Sequence, residues 1–188
     1  LFLPFGFFPN TSKKSSGILI PSYGESANLG FFLKEGGYYF TLNDYMDLTI
    51  KGDICTKGSW STKTNFRYKN RYKYNGSLNL NFGNIINSEK GFPDYSVKKD
   101  FFIRWNHKQD PKSNPTINFS ANVNAGSSTF HKNNTFNNTN DYLTNTFTSG
   151  INFSKRWEGT PFNLSTNLRH NQNTKTNYKI LKCQMHLK

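Results

Sequence analysis

Ile117-Asn118-Phe119-Ser120-Ala121-Asn122-Val123-Asn124 puts an apolar side chain at every odd position and Asn or Ser at every even one. Successive side chains of a β-strand point to opposite faces, so this segment reads as a strand with one oily and one wet surface. The same parity extends in both directions. Leu78, Leu80 and Phe82 face away from Lys73, Asn75, Asn79 and Asn81, and Phe162, Leu164 and Leu168 face away from Asn163, Ser165, Asn167 and Arg169. No segment shows a convincing helical period. The alternation predicts an all-β, antiparallel meander of about ten strands, near residues 17–23, 29–42, 46–56, 60–69, 72–84, 97–106, 115–127, 143–157, 161–172 and 177–188.

Where the oily face points decides the function. Only 34% of the 188 residues are hydrophobic, and the mean hydropathy is polar, which is little material for a two-layer soluble core. A membrane barrel is apolar only at alternate positions of segments roughly 10 residues long, so its average looks soluble. No run approaches the roughly 18 apolar residues of a membrane helix, so any crossing must use strands. The connections alternate in length. Ile85 to Ser96 and Ser128 to Tyr142 are long and polar, whereas Asn43 to Tyr45, Asn70 to Arg71, His107 to Asn114 and Glu158 to Thr160 are shorter, as in barrels with long outer loops and short periplasmic turns. Aromatics expected near strand ends, namely Tyr38, Tyr39, Tyr72, Tyr74, Trp105 and Trp157, suit interfacial girdles as well as ordinary strand propensity. Part of a transmembrane outer-membrane β-barrel is the expected architecture.

Twenty-four Lys and Arg against eleven Asp and Glu leave a formal charge of +13, which draws anionic partners by its long-range field. With the apolar parity toward lipid, Lys51, Arg67, Lys69, Lys73, Arg104 and Arg169 fall on the luminal parity. They would there accommodate phosphate-bearing molecules, with a solvated cationic face as the plainer account. No recognition helix, zinc spacing or RNP-like motif points to nucleic acid.

The amino-terminal part differs. Leu1 to Pro9 is apolar with two prolines, and Gly17-Ile18-Leu19-Ile20-Pro21 follows the loop Asn10 to Ser16. Proline lacks the N–H that a ladder needs, so Pro21 marks an edge or a weak seam. Gly36 and Gly37 weaken the next strand in turn.

Lys13-Lys14-Ser15-Ser16-Gly17-Ile18-Leu19-Ile20-Pro21, the element Gly36 to Ile50, and Gly52-Asp53-Ile54-Cys55-Thr56-Lys57-Gly58-Ser59-Trp60 together resemble, in order and spacing, the lipopolysaccharide-assembly family LptD, the organic-solvent-tolerance proteins, in a Bacteroidetes-like version. The resemblance covers residues 1–82 and continues more loosely through Tyr95 to Trp105, His107 to Asn118 and Gly159 to Asn173. It implies residues 1–16 as a hinge from an upstream periplasmic jelly-roll domain and 17–188 as the first portion of the barrel, the chain being an internal piece. It also implies a lateral seam at Ile18, Leu19, Ile20, Pro21, Gly36 and Gly37, with glycine where the family carries a second proline. The implied location is the outer membrane of a Gram-negative bacterium. The implied partners are lipopolysaccharide, outer-membrane lipids, an LptE-like lipoprotein plug and the periplasmic Lpt bridge.

Covalent chemistry finds no foothold. There is no Gly-x-Ser-x-Gly elbow or phosphate-binding glycine loop, and His107, His131, His170 and His186 are too far apart for a local metal motif, so neither catalytic residues nor a cofactor or metal is expected. Asp44 and Asp47 are assigned to turn chemistry. Cys55 and Cys183 allow a mutual disulfide, pairing with partners outside this stretch, or a role as small hydrophobes on strands, and the last is the default reading. The expected function is translocation of lipopolysaccharide into the outer leaflet through a laterally opening barrel. A porin or receptor-like channel and a surface β-sandwich binding acidic glycans are the alternatives.

Overall fold

The computed structural model describes residues 14–26, 29–88, 91–130, 146–173 and 178–187. The apolar stretch Leu1 to Pro9, most of the expected hinge and His131 lie outside them. The described residues form one antiparallel sheet of eleven strands: β1 (Gly17–Leu19), β2 (Ser22–Ser26), β3 (Gly30–Asn43), β4 (Met46–Cys55), β5 (Trp60–Asn70), β6 (Tyr74–Asn87), β7 (Ser96–Gln109), β8 (Ile117–Gly126), β9 (Thr146–Arg156), β10 (Asn163–Asn173) and β11 (Tyr178–Leu187). Both β1 and β2 pair with β3, and each later strand pairs with its predecessor. The sheet is open, since among the described residues no ladder joins β11 to β1. The all-β meander is thus as expected, one strand richer because the first segment is divided.

Boundaries shift where turn chemistry overrides alternation. The predicted strand 72–84 begins only at Tyr74, because Tyr72 takes a left-handed φ of 61° in the turn. Lys73 consequently sits in a turn and not on a strand. β6 and β7 run longer than expected, absorbing Ile85 to Asn87 and His107 to Gln109. Two of the turns are held by side chains that mimic a further backbone turn. Asn43 Oδ1 accepts the Tyr45 amide at 2.9 Å, and Asp110 Oδ1 accepts that of Lys112 at 2.9 Å. Tyr38, Tyr39 and Trp105 fall inside β3 and β7, away from the strand ends where they were expected.

The strand registers sort the side chains. Phe66, Leu78, Trp105 and Val123 are successive partners across β5 to β8, and Arg67, Ser77, Asn106 and Asn122 are the partners one step along. One face is therefore apolar and the other polar from strand to strand. The apolar face has no second layer: Ile54 is 65% exposed, and Ile50, Leu80, Phe82 and Phe101 are exposed too. The second sheet that a β-sandwich requires is absent among the described residues. The polar face is the concave one, enclosing a trough of about 1140 Å³ that spans β4 to β9. Burial is concentrated at the long-connection end, where Phe102 stacks on Phe130 with centroids 5.0 Å apart and meets Phe147 at 5.5 Å.

Candidate functional site

Residues opposite one another on neighbouring strands lie about 5 Å apart and share a face, so the registers alone bring distant positions into rows across the trough. One row runs Asp47, Arg67, Ser77, Asn106, Asn122, Gly150, Arg169 and Lys182. The next, toward the short turns, runs Lys69, Asn75, Lys108, Ser120, Asn152 and Asn167. Lys51 lies opposite Lys63, and Arg104 lies between Asn79 and Asn124. Five of the six basic residues singled out in the sequence thus share the polar face, and Lys73 is left in its turn.

Their electrostatic environments differ. Arg67 Nε and Nη2 donate to the two carboxylate oxygens of Asp47 at 2.8 and 3.3 Å, and Lys14 approaches the same group at 3.6 Å. Asp47, expected to serve the turn, is instead a buried counter-ion at the trough floor. Lys51 pairs with Glu35 at 3.2 Å, and Arg104 donates to Asn124 at 3.1 Å while lying over the Phe102 ring. Lys69, Arg71 and Lys108 also line the trough. Such a surface of Asn and Ser with cations set among them presents donors to sugars and phosphates alike.

The first strand is pinched at a single level. β1 pairs Leu19 with Gly37 and β2 pairs Ser22 with Lys34, so the register is continuous across a gap of two residues, Ile20 and Pro21. Pro21 has no N–H to give, and it lies over Gly36, where a Cβ would meet the proline Cβ at 3.0 Å. Immediately beside the gap β3 bulges, because Lys34 and Glu35 together oppose Asp53. Glu35 takes a φ of 58°. The buried Asp53 carboxylate accepts its amide at 2.7 Å, accepts Ser61 Oγ at 2.7 Å, and pairs with Lys63 at 3.1 Å. Gly37 is held by a different neighbour: a Cβ there would come within 2.0 Å of the Ile50 carbonyl oxygen on β4. Ile18 and Ile20 project from this edge, 77% and 88% exposed. Of the residues expected to form a seam, Ile18 to Pro21 lie at the outer edge, while Gly36 and Gly37 are one strand inward.

At the long-connection end Asp100 is buried and accepts the hydroxyls of Ser127 and Thr129, which fastens the start of the β8–β9 connection to β7 and seats Phe130 against Phe102. Sequence alternation gave no sign of this fastening, nor of the Asp53 cluster. Both pair a strand residue with a loop or bulge amide or hydroxyl whose position depends on the fold. Cys55 and Cys183 are both free, on β4 and β11. Among the described residues no group of His, Cys, Asp and Glu is arranged to hold a metal ion.

Comparison with curated proteins finds no match. A family model described as "LptD protein" matches residues 1–186. That span takes in the pinched first strand, the trough and the open meander together. The match covers nearly the whole sequence, and the chain therefore belongs to the LptD family, outer-membrane proteins of lipopolysaccharide assembly in Gram-negative bacteria.

Proposed function

We propose that this chain is the first part of the barrel wall of a lipopolysaccharide translocon, with its apolar face toward lipid and its polar trough toward the lumen. Sugars and phosphates of the substrate travel along the Asn, Ser, Lys and Arg rows while the acyl chains leave sideways past the first strand. The observation that carries this reading is the gap at Ile20 and Pro21, two unpaired residues inside an otherwise continuous register at an open sheet edge. An edge lacking ladder bonds at one level separates there at the least cost, because each backbone bond left unmade removes about 1 kcal/mol of closure. No covalent step is involved. A lipoprotein plug and the periplasmic bridge complete the translocon, and closure of the barrel falls to strands beyond these eleven.

Leu19 pairs with Gly37, whose partner Lys51 lies on the trough face. A photo-crosslinking residue at Leu19 of the full-length protein in its own membrane is expected to capture lipopolysaccharide, and the adduct should vanish when transport is blocked. Adducts at the lipid-facing control Phe119 without any at Leu19 would overturn lateral exit and favour a channel with a firmly closed wall.

A further inference from the structure

Tyr68, Gly76 and His107 occupy one row on the apolar face across β5, β6 and β7. The middle residue has no side chain. A Cβ at Gly76 would stand 2.3 Å from both Cζ and the hydroxyl oxygen of Tyr68, so the tyrosine ring lies across the glycine. Its hydroxyl reaches the second strand over and meets His107 Nδ1 at 2.8 Å. Trp105 Nε1 donates to the same hydroxyl oxygen at 3.1 Å. When the hydroxyl gives its proton to Nδ1, the imidazole carries its own proton on Nε2, and Nε2–H is then a donor.

This donor is set in a slot of rings. Phe119 lies 5.3 Å from the imidazole centroid, and Tyr74 stacks on it at 6.0 Å. Gln109, two residues on, shares the face and is the register partner of Tyr74. The slot stands at the short-turn end of the sheet, where β7 ends. Tyr68 and Tyr74 lie at that level, near the end of β5 and at the start of β6, where tyrosines of a barrel mark the headgroup zone.

We infer that His107 and Gln109, walled by Tyr74 and Phe119, bind the phosphate or ester oxygens of a periplasmic-leaflet phospholipid on the outer wall of the barrel. The inference rests on the reading that the apolar face meets lipid. The Tyr68 hydroxyl is a positioning group that orients the ring, and the donor toward lipid is His107 Nε2. An apolar wall held against one headgroup would resist tilting while the far edge of the sheet moves.

The test uses the full-length protein reconstituted in vesicles of phosphatidylethanolamine and phosphatidylglycerol, then extracted gently and weighed by native mass spectrometry. Wild type is expected to retain a phospholipid. His107→Phe, which keeps a ring in the slot but removes the donor, should lower that retention about tenfold, as expected for loss of a hydrogen bond to a charged group. Gln109→Ala, at a residue outside the ring cluster, should lower it too and serves if the His107 variant does not fold. Equal retention in a folded His107→Phe or in Gln109→Ala overturns the headgroup site. Quenching of tryptophan fluorescence by acyl-brominated lipid is read in parallel, comparing wild type with Trp105→Phe. Absence of a Trp105 contribution overturns the lipid-facing reading itself, whereas quenching with unchanged retention overturns only the headgroup site.

Discussion

The carboxylate of Asp53 on β4 accepts the backbone amide of Glu35 on β3 at 2.7 Å, at the one point in the first half of β3 where two residues oppose one. A bulge leaves an amide without a ladder partner. Asp53 supplies that partner from the concave face and is itself held by Ser61 and Lys63. The sheet is thus fastened on the β4 side of β3 at the same level where the ladder on its other side is interrupted at Ile20 and Pro21.

Asp53→Ala leaves the Glu35 amide and the Lys63 ammonium without their partner. Leaving one buried donor unmade costs about 2 kcal/mol, and denaturant unfolding of the reconstituted protein should show a loss of that order. Asp53→Asn, which keeps an acceptor for the amide, should lose less.

Gly36 and Gly37 are expected to respond differently to alanine. At Gly37 the obstacle is the backbone of β4, which cannot move aside, so Gly37→Ala should cost several kcal/mol, more than the roughly 1–3 kcal/mol of ordinary overpacking. At Gly36 the obstacle is the Pro21 ring at 3.0 Å. Gly36→Ala should therefore be mild, and the Pro21→Gly background should relieve it. A double-mutant cycle on folded yield measures the coupling.

Gly76→Ala should displace the Tyr68 ring and break its bond to His107. The Asn106 carbonyl oxygen, 2.6 Å from the added Cβ, adds a backbone clash. Tyr68→Phe removes only the hydroxyl and should cost about 1 kcal/mol, the net worth of a neutral hydrogen bond. Comparison of the two unfolding midpoints separates ring placement from hydrogen bonding.

Arg67→Gln strips the buried Asp47 of its two-pronged partner, leaving Lys14 at 3.6 Å as the remaining cation. The Arg67 side chain is 59% exposed, so solvent screening limits the loss to about 1 kcal/mol. Arg67→Gln combined with Asp47→Asn should be less destabilised than the sum of the two single changes, because no buried charge is then left unpaired.

Ile117 to Asn124 shows how much of the fold is legible in the sequence alone. Period-two alternation needs only local geometry, and it located every later strand to within a few residues. Lys73 shows where that stopped: its parity matched β6, but the turn that contains the left-handed Tyr72 ends at Lys73 itself, and β6 begins at Tyr74. Alternation likewise placed Lys51, Arg67, Lys69, Arg104 and Arg169 on a common parity without saying which strand positions lie opposite which. The Arg67–Asp47 pair needed the β4–β5 register, and the Tyr68–His107 bond needed two registers and the empty position at Gly76.

By itself the sequence determined the alternating strands, the cationic polar parity and the missing ladder donor at Pro21, because each follows from side-chain direction or from an absent N–H within a few residues of chain. Only the tertiary structure decided that the polar face is concave, that the sheet stays open among the described residues, and that Asp53 secures one side of the bulged strand where the ladder on the other side is interrupted at Pro21. Those features depend on register and curvature, which arise when strands far apart in the chain are brought side by side.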